Sequence, residues 1–192
     1  MVFPNFFLIG APKCGSTTLW ELLRQHPDVY LPEVKEPNHF NTDMKLLFGE
    51  MPYRDPARYR SLFEHPDANA PCVGEASVWY LASPVAAQSL PSDAKLIVIL
   101  RPPADAIRSM YTFSMRLGGE RALSLAEALE LEPKRARGEE LPPGVQVAGS
   151  LQYRDTVRYS EQLSRYYERF DRSQIKVVLL EDLAARPLAV AQ

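Results

Sequence analysis

FFLIGAPKCGSTTLWELL, residues 6–23, reads as a buried strand, a glycine-bounded loop and a helix in direct succession. Phe6 to Gly10 is apolar, aromatic-rich and ended by glycine, as a strand covered on both faces would be. Ala11 to Ser16 is the loop, and Thr17 to Gln25 is the helix, with Leu19, Leu22 and Leu23 on one side and Pro27 closing it. Gly10 and Gly15 permit a tight turn whose backbone N–H groups, together with the helix N-terminus, form an anion nest. Lys13 sets a cation over that nest, Ser16, Thr17 and Thr18 supply hydroxyl donors, and Pro12 and Cys14 complete the loop.

This loop is not a Walker A motif, which carries its lysine directly after the second glycine. Gly10 and Gly15 have the required spacing, but Ser16 follows, and the lysine stands earlier, at Lys13. The pattern fits a phosphate gripped by protein cations rather than by a magnesium ion. The competing reading is a plain glycine turn with a surface lysine.

Outward from this unit, Lys95 to Leu100 (KLIVIL) is continuously apolar, which suits a central parallel strand. Val29 to Leu31, Val73 to Ala76 and Ile175 to Leu180 read as further strands. Helices are expected at Asp55 to Phe63, Pro84 to Leu90, Ala104 to Leu117 and Leu125 to Arg137, with one long helix from Tyr153 to Phe170. The alternation of strands and helices predicts an α/β, three-layer sandwich with a mainly parallel central sheet, a P-loop-like nucleotide-binding fold, in one domain spanning 1–192.

Composition narrows the function. Of 192 residues, 46% are hydrophobic and 24% charged, enough for a real core and against disorder. The net charge of -2 argues against a general nucleic-acid binder. Two cysteines and three scattered histidines make neither a disulfide framework nor a zinc spacing, so no metal is expected. The N-terminus lacks a basic lead, and no apolar run approaches the ~18 residues of a membrane span. The expected location is cytoplasmic.

A second cluster follows KLIVIL. Arg101 stands at the carboxyl end of a central strand, where open α/β sheets bind ligands, and Asp105, Arg108, Ser109 and Tyr111 follow in the next helix. The Arg101 guanidinium suits a phosphate as a fork. Its alternative is an ion pair with Asp105.

Together, Phe6 to Phe40, Gly74 to Leu81 (GEASVWYL), Lys95 to Tyr111 and Tyr159 to Leu183 resemble the sulfotransferases that use 3′-phosphoadenosine-5′-phosphosulfate (PAPS) as donor, in particular the bacterial and carbohydrate branch with its heparan sulfate enzymes. The resemblance implies that Pro12, Lys13, Cys14, Gly15, Ser16, Thr17 and Thr18 bind the 5′-phosphosulfate, and that Arg101 and Ser109 bind the 3′-phosphate. It implies Glu36, in Lys35-Glu36-Pro37, as catalytic base, with His39 as alternative base or orienter. Sulfonate would move to an acceptor hydroxyl, by default of a carbohydrate and otherwise of a lipid, phenol or metabolite. The partners would be the nucleotide and the acceptor, with a homo-oligomer open.

The sequence departs from the family pattern at three points. Asn38 precedes His39, Ala76 stands where glycan-type members carry lysine, and Ala106 stands where related proteins often carry arginine. Arg108 lies about 200° around the helix from that position and is not an automatic replacement. Family members also continue past Glu181-Asp182-Leu183, so the expectation is a chain that lacks its C-terminal portion. The alternatives to transfer are a non-catalytic binder of 3′,5′-adenosine bisphosphate (PAP) and, with a magnesium requirement, an ATP-dependent phosphotransferase. Glu75, Ser77 and Tyr80 are candidates to touch ligand, whereas Trp79 and Tyr153 read better as core. The acceptor wall is expected from residues 42–63 and 115–150.

Overall fold

Strand β1 (Phe6–Gly10) runs between two parallel neighbours, and it is buried along its whole length because helices pack on its side chains. The computed structural model describes residues 3–191. The other strands are β2 (Val29–Tyr30), β3 (Cys72–Ala76), β4 (Lys95–Leu100) and β5 (Ile175–Leu179). They form one sheet in the order β2-β3-β1-β4-β5, and every pairing is parallel. The expected α/β fold with a parallel central sheet is therefore present. Phe6 pairs with Gly74, where a side chain would have no room: an added Cβ would lie 2.1 Å from the Phe6 ring.

The helices are α1 (Ser16–Arg24), α2 (Pro56–Ser61), α3 (Pro84–Ser89), α4 (Pro103–Arg116), α5 (Leu125–Ala136), α6 (Tyr153–Thr156), α7 (Tyr159–Tyr167), α8 (Leu180–Ala185) and α9 (Pro187–Ala191). Leu19, Trp20 and Leu23 of α1, Ala86 and Ala87 of α3, Ala106 of α4 and Tyr166 of α7 join the strands in the main core. A second cluster gathers Met110, Ala122, Ala128, Val145, Leu151 and Tyr153 beside α4, α5 and α6. Because the strands are parallel, the segments that follow β1, β3, β4 and β5 all emerge at one edge of the sheet, and that edge carries the site.

The predicted helix from Tyr153 to Phe170 is two helices. Thr156 Oγ1 donates to the Tyr153 carbonyl at 2.7 Å, and Gln162 Nε2 donates to the Asp155 carbonyl at 2.8 Å. These side chains take carbonyls that a continuous helix would pair with its own amides. Arg158, between the two helices, has φ -75° and ψ 56°. The break sends Tyr153 toward Glu120 and Tyr159 toward Cys14. The strand expected over Val29 to Leu31 is shorter by one residue, because Leu31 turns into the core at 4% exposure.

Candidate active site

The loop between β1 and α1 is built on two left-handed residues, Lys13 (φ 60°) and Gly15 (φ 94°). Gly15 is the N-cap of α1, and no side chain caps the helix. Its first amides therefore remain available to an anion. A side chain at Gly15 is excluded twice, by its φ and by Leu180, whose Cδ1 would lie 2.5 Å from the new Cβ.

Lys13 is held with its Nζ 3.7 Å from the centre of the Phe113 ring. Its pKa is lowered, first by burial and then by repulsion from Arg116, Lys35 and Arg101. Those repulsions mark a concentration of positive charge. Lys13, Ser16, Thr17, Lys35, Glu36, Arg101 and Ser109 line one cavity of about 560 Å³, within the range of small-ligand sites. A neighbouring hollow of about 300 Å³ shares Lys13, Arg101 and Ser109 and adds Arg108 and Arg116, with Asp105 as its one acidic wall residue. Arg101 Nη1 donates to the Lys13 carbonyl at 3.4 Å, which ties the second cluster to the first loop.

Arg108 does reach this hollow. Ala106 faces the core at 3% exposure, so a residue on the opposite side of α4 faces outward, and Arg108 is paired with Asp105 at 3.6 Å. Sequence reasoning missed Phe113 and Arg116, yet the signal was there: Ser109, Phe113 and Arg116 are spaced i, i+4 and i+7 on one helix face.

Glu36 has φ 62°, a conformation that costs a residue with a side chain. Three contacts hold it. Its N–H donates to the Ala76 carbonyl at 2.8 Å, its Oε2 accepts the Val78 N–H at 2.9 Å, and its Oε1 accepts from Lys35 Nζ at 2.6 Å. The carboxylate thus sits in the cavity, half-exposed, with one oxygen on a backbone amide and the other on a cation.

The loop that carries Glu36 is anchored by a buried carboxylate. Glu75 is 0% exposed, and its Oε2 accepts from the Tyr59 and Tyr80 hydroxyls at 2.9 and 3.0 Å. Ser77 donates its hydroxyl to Oε1. In turn, Ser77 Oγ accepts the Asn38 N–H at 3.0 Å, and the Tyr80 oxygen accepts the His39 N–H at 2.9 Å. Glu75, Ser77 and Tyr80 are therefore a buried support beneath residues 36–40 and not part of the cavity wall.

Burial raises the Glu75 pKa to about 7, opposed by its three hydroxyl donors. Between the ordinary 4.5 and about 7 the folded chain holds a proton that the unfolded chain has released. Stability therefore falls as pH rises through that window, by up to about 1.4 kcal/mol per pH unit. Urea melts at pH 5 and 7 test this: Glu75→Gln is expected to lose the difference that the unaltered chain shows.

The remaining sites separate. His39 does not line the cavity; its ring stacks on Tyr59 at 4.0 Å, and its Nδ1 donates to the Tyr53 carbonyl at 2.6 Å, since a carbonyl only accepts. Burial lowers its pKa and favours the neutral ring. Cys14 is fully buried, 3.5 Å from the Tyr159 hydroxyl, and burial raises its thiol pKa. Pro12 lines the cavity, and Thr17 and Thr18 are exposed at the start of α1. Trp79, expected in the core, packs against the second core cluster and is a wall residue as well: it borders the main cavity and two adjoining hollows of about 450 and 380 Å³. The first of these takes Asp43 and Met44 from one expected acceptor segment; both take residues from the other, including Val147. Tyr153 is core, fully buried with its hydroxyl on Glu120.

A family model described as the sulfotransferase domain matches residues 3–192. Human carbohydrate sulfotransferase 15 is 42% identical over 57 residues, which cover 30% of this chain and 10% of the human protein. The membrane-associated sulfotransferase kil1 of Dictyostelium discoideum is 33% identical over 119 residues, 60% of this chain and 24% of its own. This chain thus spans a tenth to a quarter of the length of these relatives in the matched regions. Among solved structures, a sulfotransferase from Alicyclobacillus acidocaldarius is similar with a TM-score of 0.87 and 35% identity, over 100% of this chain and 78% of that one. Among the described residues, no helix is long and apolar enough to cross a membrane.

Proposed function

This chain belongs to the sulfotransferase domain family, and from that premise we propose that it moves a sulfonate group from PAPS to a hydroxyl of an acceptor, with a carbohydrate as the first class to test. The observation that carries this reading is one cavity, at the carboxyl edge of the sheet, where Lys13, Lys35 and Arg101 face a single carboxylate, Glu36. An anionic nucleotide donor needs the cations; an acceptor hydroxyl needs the carboxylate.

The loop from Pro12 to Thr18 holds the 5′-phosphosulfate on backbone amides and hydroxyls. Arg101, Ser109 and Arg108 hold the 3′-phosphate in the adjoining cationic hollow. Glu36 takes the proton of the acceptor hydroxyl as its oxygen bonds to sulfur. The bond from sulfur to the bridging oxygen breaks at the same time, and Lys13 stabilises the charge left on that oxygen. The products are a sulfate ester and PAP, and the proton rests on Glu36. With its ring nitrogen tied to Tyr53, His39 serves the loop rather than the proton transfer. The carbohydrate assignment draws on the likeness to human carbohydrate sulfotransferase 15.

Calorimetric titration with PAP, with and without magnesium, tests the donor site. Micromolar, metal-independent binding is expected, weakened about tenfold or more in Lys13→Ala and in Arg101→Ala, since each removes a charge-assisted contact to phosphate worth about 1.5–3 kcal/mol. Absence of PAP binding, or a preference for ATP with magnesium, overturns the assignment. PAP binding with no transfer to any hydroxyl supports the non-catalytic reading instead.

A further inference from the structure

Lys35 has two partners that belong to different halves of the reaction. Its Nζ lies 2.6 Å from Glu36 Oε1, on the proposed base, and 3.4 Å from Ser16 Oγ, on the proposed donor loop. The Lys35 side chain is 19% exposed and lines the same cavity as Lys13 and Arg101. It is thus close enough to the proposed donor loop to meet an anion there, while its short contact is to the Glu36 carboxylate. Both carboxylate oxygens of Glu36 are engaged, Oε1 by the Lys35 ammonium and Oε2 by the Val78 N–H.

Resting on the proposed donor and base, we infer that Lys35 is a catalytic cation that exchanges partners: it leaves Glu36 for the sulfonate when the donor binds. The exchange couples two events. The sulfonate gains a cation on the side away from Lys13, and Glu36 is freed to accept the acceptor's proton only after the donor is in place. The Glu36 backbone does not need to move, because its N–H stays on Ala76 and its second oxygen stays on Val78. The chemical balance is that of the proposed transfer; Lys35 gains and loses no proton.

The coupling is measurable without turnover. PAPS and PAP are titrated, in the absence of acceptor, into the unaltered chain, Glu36→Gln, Lys35→Gln and the double variant. Glu36→Gln is expected to bind PAPS about fivefold more tightly or better, the lower end of typical coupling between sites, because Lys35 no longer has to leave an anion. The gain is expected to be smaller for PAP, which has no sulfonate. In the Lys35→Gln background the same Glu36→Gln change is expected to give none of that gain. Lys35→Arg, which keeps the charge, is expected to retain most of the PAPS affinity that Lys35→Gln loses.

Two results overturn the inference while leaving the donor site standing. One is PAP binding with no tightening of PAPS in Glu36→Gln. The other is equal tightening with and without Lys35, which would mean simple removal of a negative charge from the cavity. Failure of the unaltered chain to bind PAP overturns the donor assignment itself, and the inference with it.

Discussion

Glu36→Gln is expected to lower kcat for sulfonate transfer by about 10²–10⁴-fold, the usual worth of a positioned general base. The substitution keeps the shape of the side chain and the acceptor for the Val78 N–H, so it removes the proposed base while sparing the loop. The loop's other anchors, from Ala76, Ser77 and Tyr80, do not involve the Glu36 carboxylate. Thermal stability is expected to change little, and donor affinity to rise rather than fall. Loss of transfer together with tighter PAPS binding separates a missing base from a damaged site. A variant that transfers sulfonate at the unaltered rate removes Glu36 from the mechanism.

Arg135→Met is expected to cost about 3–5 kcal/mol of stability, because it leaves a buried carboxylate without its partner. The Arg135 and Glu120 side chains are 1% and 0% exposed, and the guanidinium donates two bonds to the carboxylate, at 2.7 and 2.6 Å. Tyr153 adds its hydroxyl at 2.7 Å, and the Arg121 and Ala122 amides donate at 2.7 and 2.8 Å. Glu120 is thus fully surrounded by donors that hold α5 and α6 against the turn before α5. Replacing both residues, as Glu120→Gln with Arg135→Met, is expected to recover part of the loss, since no charge is then left buried. Urea melts of the two variants measure it; equal losses in the single and the double variant would refute the account.

The same group sets an acid limit. The hydrogen bonds from Arg135, the two amides and Tyr153 overcome burial and lower the Glu120 pKa to about 2, from an ordinary 4.5. Between those values the unfolded chain binds a proton that the folded chain refuses, so stability rises with pH in that window. The contribution is complete above 4.5 and is lost as the pH falls through about 2. The slope is opposite to that from Glu75, whose window lies between 4.5 and about 7. Maximum stability from this pair of carboxylates is therefore expected near pH 4.5–5.

The sequence by itself determined the sheet and the main loop. The apolar runs within Phe6–Gly10, Lys95–Leu100 and Ile175–Leu179 form parallel strands, the first buried throughout and the last at the sheet edge with Val177 and Leu179 exposed, and glycine at position 15 permits the turn that opens the helix N-terminus. Those are local properties: burial pattern and backbone freedom are written in consecutive residues. The surroundings of Glu75, Trp79, His39 and Lys35 were decided only by the tertiary structure. Glu75 lies between two buried residues, Gly74 and Ala76, and whether its carboxylate meets a ligand or two tyrosines depends on where Tyr59 arrives from another element. Trp79 has the composition of core but stands where three hollows meet. The helix expected from Tyr153 to Phe170 breaks because Thr156 and Gln162 find carbonyls nearby, a competition that periodicity does not record. Lys35 and Glu36 are neighbours in the chain, yet the contact that gives Lys35 a second partner comes from Ser16, nineteen residues away. Periodicity specifies which face of an element is buried; which atoms meet across the fold is settled by packing.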